Sequence, residues 1–87
     1  MPRYLVESYA SGSAVDEACE RARRAAELGT SVRYVRTTFL PEDETVLHMF
    51  EAPSAEALDD AGRLAELSFQ RIVEAVEGPT LEREGRR

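Results

Sequence analysis

Periodic apolar positions divide the chain into six stretches. Residues 3–10 (Arg-Tyr-Leu-Val-Glu-Ser-Tyr-Ala) are rich in aromatic and β-branched types and predict a first strand. Ser11-Gly12-Ser13 follows as turn and cap, and Ser13 with Asp16 three residues on has the spacing of a capping box. From Ala14 to Leu28 the residues Val15, Ala18, Cys19, Ala22, Ala25 and Ala26 recur in steps of three and four, which is one face of a helix. Glu17–Arg21 and Glu20–Arg24 place an acid one turn before a base on its outer face. Gly29 has the position of a C-terminal cap.

Residues 31–40 (Ser-Val-Arg-Tyr-Val-Arg-Thr-Thr-Phe-Leu) predict the second strand, 41–44 a polar turn, and 45–52 the returning strand of a hairpin. Pro53-Ser54 opens a second helix. Ser54 caps it, Glu56 sits in its positive first turn, and Ala57, Leu58, Ala61, Leu64 and Ala65 form its inner face. Gly62 costs this helix up to about 1 kcal/mol relative to Ala. Residues 69–77 predict a last strand, although Phe69, Ile72, Val73 and Val76 also fit a helical period. Gly78-Pro79 stops it, so the domain covers 1–78 and a polar tail covers 79–87.

The order β-α-β-β-α-β is the split βαβ pattern of a ferredoxin-like α+β domain: a four-stranded antiparallel sheet with two helices on one face. The other face is the informative one. A strand with one wet face alternates apolar and polar, and this hairpin does not. One parity carries Val35, Phe39, Val46 and Phe50; the other carries Val32, Tyr34, Leu40, Leu47 and Met49. Two helices cover only one side. A second copy of the sheet is the economical cover for the other, giving a homodimeric α+β barrel.

Length agrees with that expectation. Eighty-seven residues hold one core, and a domain this small leaves much of its surface uncovered. The net charge of −6 is uneven: residues 1–40 carry +1 and residues 41–87 carry −7. A nucleic-acid binder needs a basic face to neutralise phosphates, and an anionic membrane surface selects for the same. Neither partner is expected. One cysteine, Cys19, permits no internal disulfide, and no long apolar run marks a signal peptide or membrane span, so a cytoplasmic protein is expected.

His48 is the only histidine, placed mid-strand, and its imidazole suits either metal ligation or proton transfer. More often such a residue is a partly buried histidine with one hydrogen bond. Glu7 and Glu74 interrupt the apolar runs of the first and last strands; inside a barrel they require a cation, a proton or Arg36. At a strand edge they would simply meet solvent. Tyr4 and Tyr34 are candidates for lining a pocket with hydroxyls, or for plain core aromatics with a wet tip. Glu51, ahead of Ala-Pro, reads as a turn residue. No phosphate loop, dinucleotide fingerprint, zinc motif or nucleophile elbow is present.

Arg-Tyr-Leu-Val-Glu at 3–7, Val-Arg-Tyr-Val-Arg at 32–36, Phe-Glu-Ala-Pro-Ser-Ala-Glu-Ala at 50–57 and Arg-Ile-Val-Glu at 71–74 resemble the family called domain of unknown function 4242, some of whose members are described as nickel-binding proteins. The resemblance implies a ferredoxin-like fold, a homodimer, and a site for nickel or another divalent transition metal; in this chain such a site would need His48, carboxylates such as Glu7, and water or the partner subunit. One His and one Cys per chain are too few for an imidazole-rich shell. Two readings follow. One is a non-catalytic, nickel-type metal-binding homodimer. The other is a dimeric barrel enzyme or small-ligand binder of the monooxygenase or isomerase kind. There His48 would act as acid–base group, Arg36 would orient an anion, and Tyr4 or Tyr34 would supply a hydroxyl.

Overall fold

The computed structural model describes residues 1–76. Its elements are β1 (Arg3–Tyr9), α1 (Val15–Leu28), β2 (Arg33–Leu40), β3 (Thr45–Glu51), α2 (Ala55–Leu64) and β4 (Arg71–Ala75). The fold is the expected ferredoxin-like α+β arrangement, one antiparallel sheet in the order β2-β3-β1-β4. Residues 71–75 are strand, not helix. The polar tail expected at 79–87, and the stop at Gly78-Pro79, lie outside the described residues.

α1 packs on β2 and β3 and against α2, and α2 lies beside β4. The core fills the space between helices and sheet: Tyr4 and Val6 from β1, Phe50 from β3, Ala22 and Ala25 from α1, Leu58 and Ala61 from α2. Burying a side chain the size of Phe50 or Leu58 stabilises by about 1.5–3 kcal/mol. Small residues set the helix spacing. A Cβ on Gly29 would lie 2.6 Å from the Ala61 Cβ, so glycine there permits the close approach of the end of α1 to α2. Gly29 is the C-cap residue of α1 as expected, its N–H donating to the Ala25 carbonyl at 2.9 Å, but its backbone is extended (φ −84°, ψ 157°), so glycine serves there for space and not for a left-handed conformation. Gly62 also has a packing reason: a Cβ there would lie 3.0 Å from the Phe69 ring.

Some local expectations are corrected. Ser13 and Asp16 form no capping box. A 3-10 turn, Gly12–Ala14, precedes α1, Ala14 is the cap residue without a side-chain bond, and Ser13 Oγ instead meets Ser11 Oγ at 3.1 Å. Glu20 pairs with Arg23 at 3.5 Å, three residues on, and not with Arg24. Glu17–Arg21 forms at 2.9 Å. The second cap holds: the Ser54 hydroxyl accepts from the Ala57 N–H at 3.1 Å.

The largest correction concerns β2. The register shifts between Tyr34 and Arg36, which pair with Phe50 and Met49 in turn, so Val35 is an extra residue in a bulge. The simple alternation therefore fails halfway along the strand. Tyr34, Thr37 and Phe39 share the helix side with Phe50, His48 and Val46, while Arg36, Thr38 and Leu40 share the open side with Met49, Leu47 and Thr45.

Candidate functional site

Each sequence-derived candidate falls on a definite side of the sheet. Directly paired residues point the same way. On the helix side stand Tyr4, Tyr34, His48 and, opposite Tyr4 on the outer strand, Glu74. On the open side stand Glu7 and Arg36. His48 is therefore separated from both Glu7 and Arg36 by the thickness of the sheet. The two proposed metal ligands do not converge within a protomer, and neither do the acid–base group and the anion-orienting group of the barrel-enzyme reading. Glu7 and Glu74 do not share an interior. In a dimer joined sheet to sheet, His48 would lie behind the sheet and outside the space between the copies.

His48 itself is fully buried. A short chain of hydrogen bonds leads outward from it: Nδ1 meets Thr37 Oγ1 at 2.8 Å, and Thr37 Oγ1 meets the Tyr34 hydroxyl at 2.6 Å. Arg23 of α1 lies over the Tyr34 ring at 5.9 Å, and Tyr34 meets Phe50 edge-on at 5.6 Å. Thr37 is the residue that reasoning from sequence missed. Nothing in a threonine on a strand announces it, and the bulge hides its alignment with His48. On the far side of the ring, Nε2 is buried with no hydrogen-bond partner among the described residues. Burial pushes the imidazole pKa from 6.5 down to about 4, because the charged form would lose its hydration. The ring is thus a neutral imidazole at physiological pH.

Within one protomer the described residues do not assemble a nickel shell. No group of three or more His, Cys, Asp or Glu side chains able to hold a metal ion occurs among the described residues. Cys19 is half-buried on α1, and Glu7 is engaged elsewhere. His48 supplies one donor only.

The open face carries the organised charges. Glu51 takes Arg3 at 3.2 Å and Arg33 at 3.0 Å, each across a strand boundary. The hydrogen bond from Arg3, helped by Arg33, holds the Glu51 carboxyl below the usual carboxylate range. The residue read as a turn former is thus a clamp between β1, β2 and β3. Glu7 takes Arg71 at 2.8 Å, from β4, and not Arg36. Between these pairs Leu5, Leu47, Met49 and Val73 lie with no helix above them.

A separate cleft of about 190 Å³ opens between the start of α1 and the segment before β4, with Ser8, Tyr9, Ala14, Arg21 and Leu67 in its walls. His48 and Arg36 are not part of it. Its cation, Arg21, is already spent on Glu17 at 2.9 Å and on the Glu66 carbonyl at 2.8 Å. No helix among the described residues is long and apolar enough to cross a membrane.

No family model matches the chain, and no curated protein matches it. Among solved structures, the crystal structure of SCO4226 from Streptomyces coelicolor A3(2) is similar in fold, with a TM-score of 0.69 over 88% of this chain and 99% of that one, at 16% sequence identity. At that identity the likeness concerns the fold: this chain has the same α+β architecture as the Streptomyces protein.

Proposed function

We propose that the protein works as a non-catalytic homodimer whose two copies meet through the open faces of their sheets. The observation that carries the reading is the apolar strip of half-buried Leu5, Leu47 and Met49 and exposed Val73, with no helix above it and bordered by carboxylates already engaged by arginines. An apolar strip on an open sheet face favours association. The bordering Glu51 and Glu7 pairs need no new partner when water leaves. Catalysis finds no support in the geometry, since the acid–base candidate and the anion-orienting candidate face opposite ways. Light scattering on eluted wild type and Leu5→Asp tests the proposal. Twice the protomer mass of 9.7 kDa for wild type, and the protomer mass for the variant, support it. A monomeric wild type removes it.

A divalent-metal role of the nickel type has one observation in its favour, the unpartnered Nε2 of a neutral His48. Neutral imidazole is the form that ligates. Calorimetric titration with Ni²⁺ of wild type and His48→Gln, both confirmed folded by circular dichroism, tests it. Heat in the first and none in the second supports the role; equal traces exclude His48 as a ligand.

A further inference from the structure

The helix layer, on the far side of the fold from the open sheet face, carries a groove of its own. α1 and α2 run antiparallel, with Gly29 set against Ala61 and Arg21 on the Glu66 carbonyl at 2.8 Å. Two adjoining cavities of about 270 and 190 Å³ lie along their seam, and Leu28 and Leu64 line both. These leucines are 48% and 65% exposed, so the middle of the groove is apolar and meets water. Arg24 stands four residues before Leu28, in one cavity, and Asp60 stands four residues before Leu64, in the other. Four helical residues advance about 6 Å. Because the helices are antiparallel, the cation and the acid lie at opposite ends of the groove, at equal steps from the leucine pair. Both are exposed, and neither makes an ion pair among the described residues. Their neighbours differ: Arg21 is paired with Glu17 and Arg63 with Asp59.

A groove of this pattern is complementary to itself. A twofold axis lying across it at the leucine pair lays the apolar middle of one copy on that of the other. The same rotation brings the Arg24 end of one groove to the Asp60 end of its mate, and each contact is made twice. We infer that the helix layers of two copies associate here, through the leucine pairs and two reciprocal ion pairs between Arg24 and Asp60 of the partner subunit. Charge selects the second copy as occupant: an acidic segment meets repulsion at Asp60, and a basic one at Arg24. The inference does not rest on the open-face dimer, because the two surfaces lie on opposite sides of the fold. The contact is small beside stable interfaces, which bury about 1,200–2,000 Å². It therefore belongs to concentrated protein and stays out of a dilute, eluted peak. Where both surfaces act, sheet-joined dimers are linked through their helix layers, and assembly passes beyond the dimer.

Sedimentation equilibrium at concentrations rising toward the millimolar range tests this in the Leu5→Asp protein, whose sheet face carries a blocking charge. Its mass should double from the dilute value, and added salt should oppose the doubling. Arg24→Asp sets like charges against the partner's Asp60, and Asp60→Arg does so against the partner's Arg24. Each single reversal should weaken association by about tenfold. The double exchange, Arg24→Asp with Asp60→Arg, restores opposite charges and should return association to within about threefold of the parent. Both positions are exposed and unpaired, and circular dichroism confirms that each variant is folded. A parent whose mass never rises above its dilute value overturns the inference. So do single reversals that associate like the parent, or a double exchange as weak as either single. None of these results bears on the open-face dimer, which is read from wild type at low concentration.

Discussion

Acidification should weaken this fold through one side chain. In the unfolded chain His48 has an ordinary pKa of 6.5, and in the fold burial lowers it to about 4. Above 6.5 both states hold the neutral ring, and the histidine adds no pH dependence. As pH falls below 6.5 the unfolded chain takes up a proton that the folded one refuses, and stability drops by about 1.4 kcal/mol per pH unit. Near pH 4 the folded ring protonates as well and the loss levels off. The difference of two and a half units corresponds to a total of about 3 kcal/mol, a large part of what a domain of this size possesses. Carboxylates titrate in the same acid range, so the quantity to measure is the gap between wild type and His48→Gln in urea unfolding at a series of pH values. Near neutrality wild type should lead. The gap should shrink by about 3 kcal/mol between pH 7.5 and pH 4. Because the chain has a single histidine, its imidazole resonances can be followed by NMR without assignment. Parallel stability curves, together with a native-state imidazole titrating near 6.5, would refute the reasoning.

Other perturbations have equally definite outcomes. Gly29→Ala would drive a methyl group to 2.6 Å from the Ala61 Cβ and 3.0 Å from the Ala25 carbonyl, and should cost about 1–3 kcal/mol in urea unfolding. Thr37→Val keeps the shape of the side chain but strips His48 Nδ1 and the Tyr34 hydroxyl of their shared partner; a loss of about 1–3 kcal/mol is expected, with oligomeric mass unchanged in light scattering. Ser54→Ala removes the cap on the Ala57 N–H and should lower stability by about 1 kcal/mol by the same measurement.

Much of the architecture is legible in local pattern. The 3.6-residue spacing of Ala22 and Ala25, the Ser54 cap and the hairpin turn all act within a few residues, and the structure agrees with them. The site was less legible, because the face a residue occupies depends on pairing with distant strands. A one-residue bulge at Val35 moves Tyr34 to the helix side while Arg36 stays on the open side, opposite Met49. Glu7 and Glu74 look equivalent as interruptions of apolar runs. Yet Glu7 pairs opposite Leu47 and Glu74 opposite Tyr4, and these positions face opposite sides. Glu51 sits beside Ala-Pro in sequence, but its partners Arg3 and Arg33 come from two other strands. Of the parity that groups Val32, Tyr34, Leu40, Leu47 and Met49 in sequence, Leu47 and Met49 lie on the open face, while Val32 and Tyr34 join the core on the helix side.

The central claim is that one open sheet face lies against another, and isotope-filtered NMR on a mixture of labelled and unlabelled protein tests it most directly. Intermolecular NOEs from the Met49 methyl group to protons of Leu5, Leu47 or Val73 of the partner subunit are predicted. A Met49 methyl that instead shows full relaxation by a soluble paramagnetic agent, in a species of protomer mass, would contradict the account.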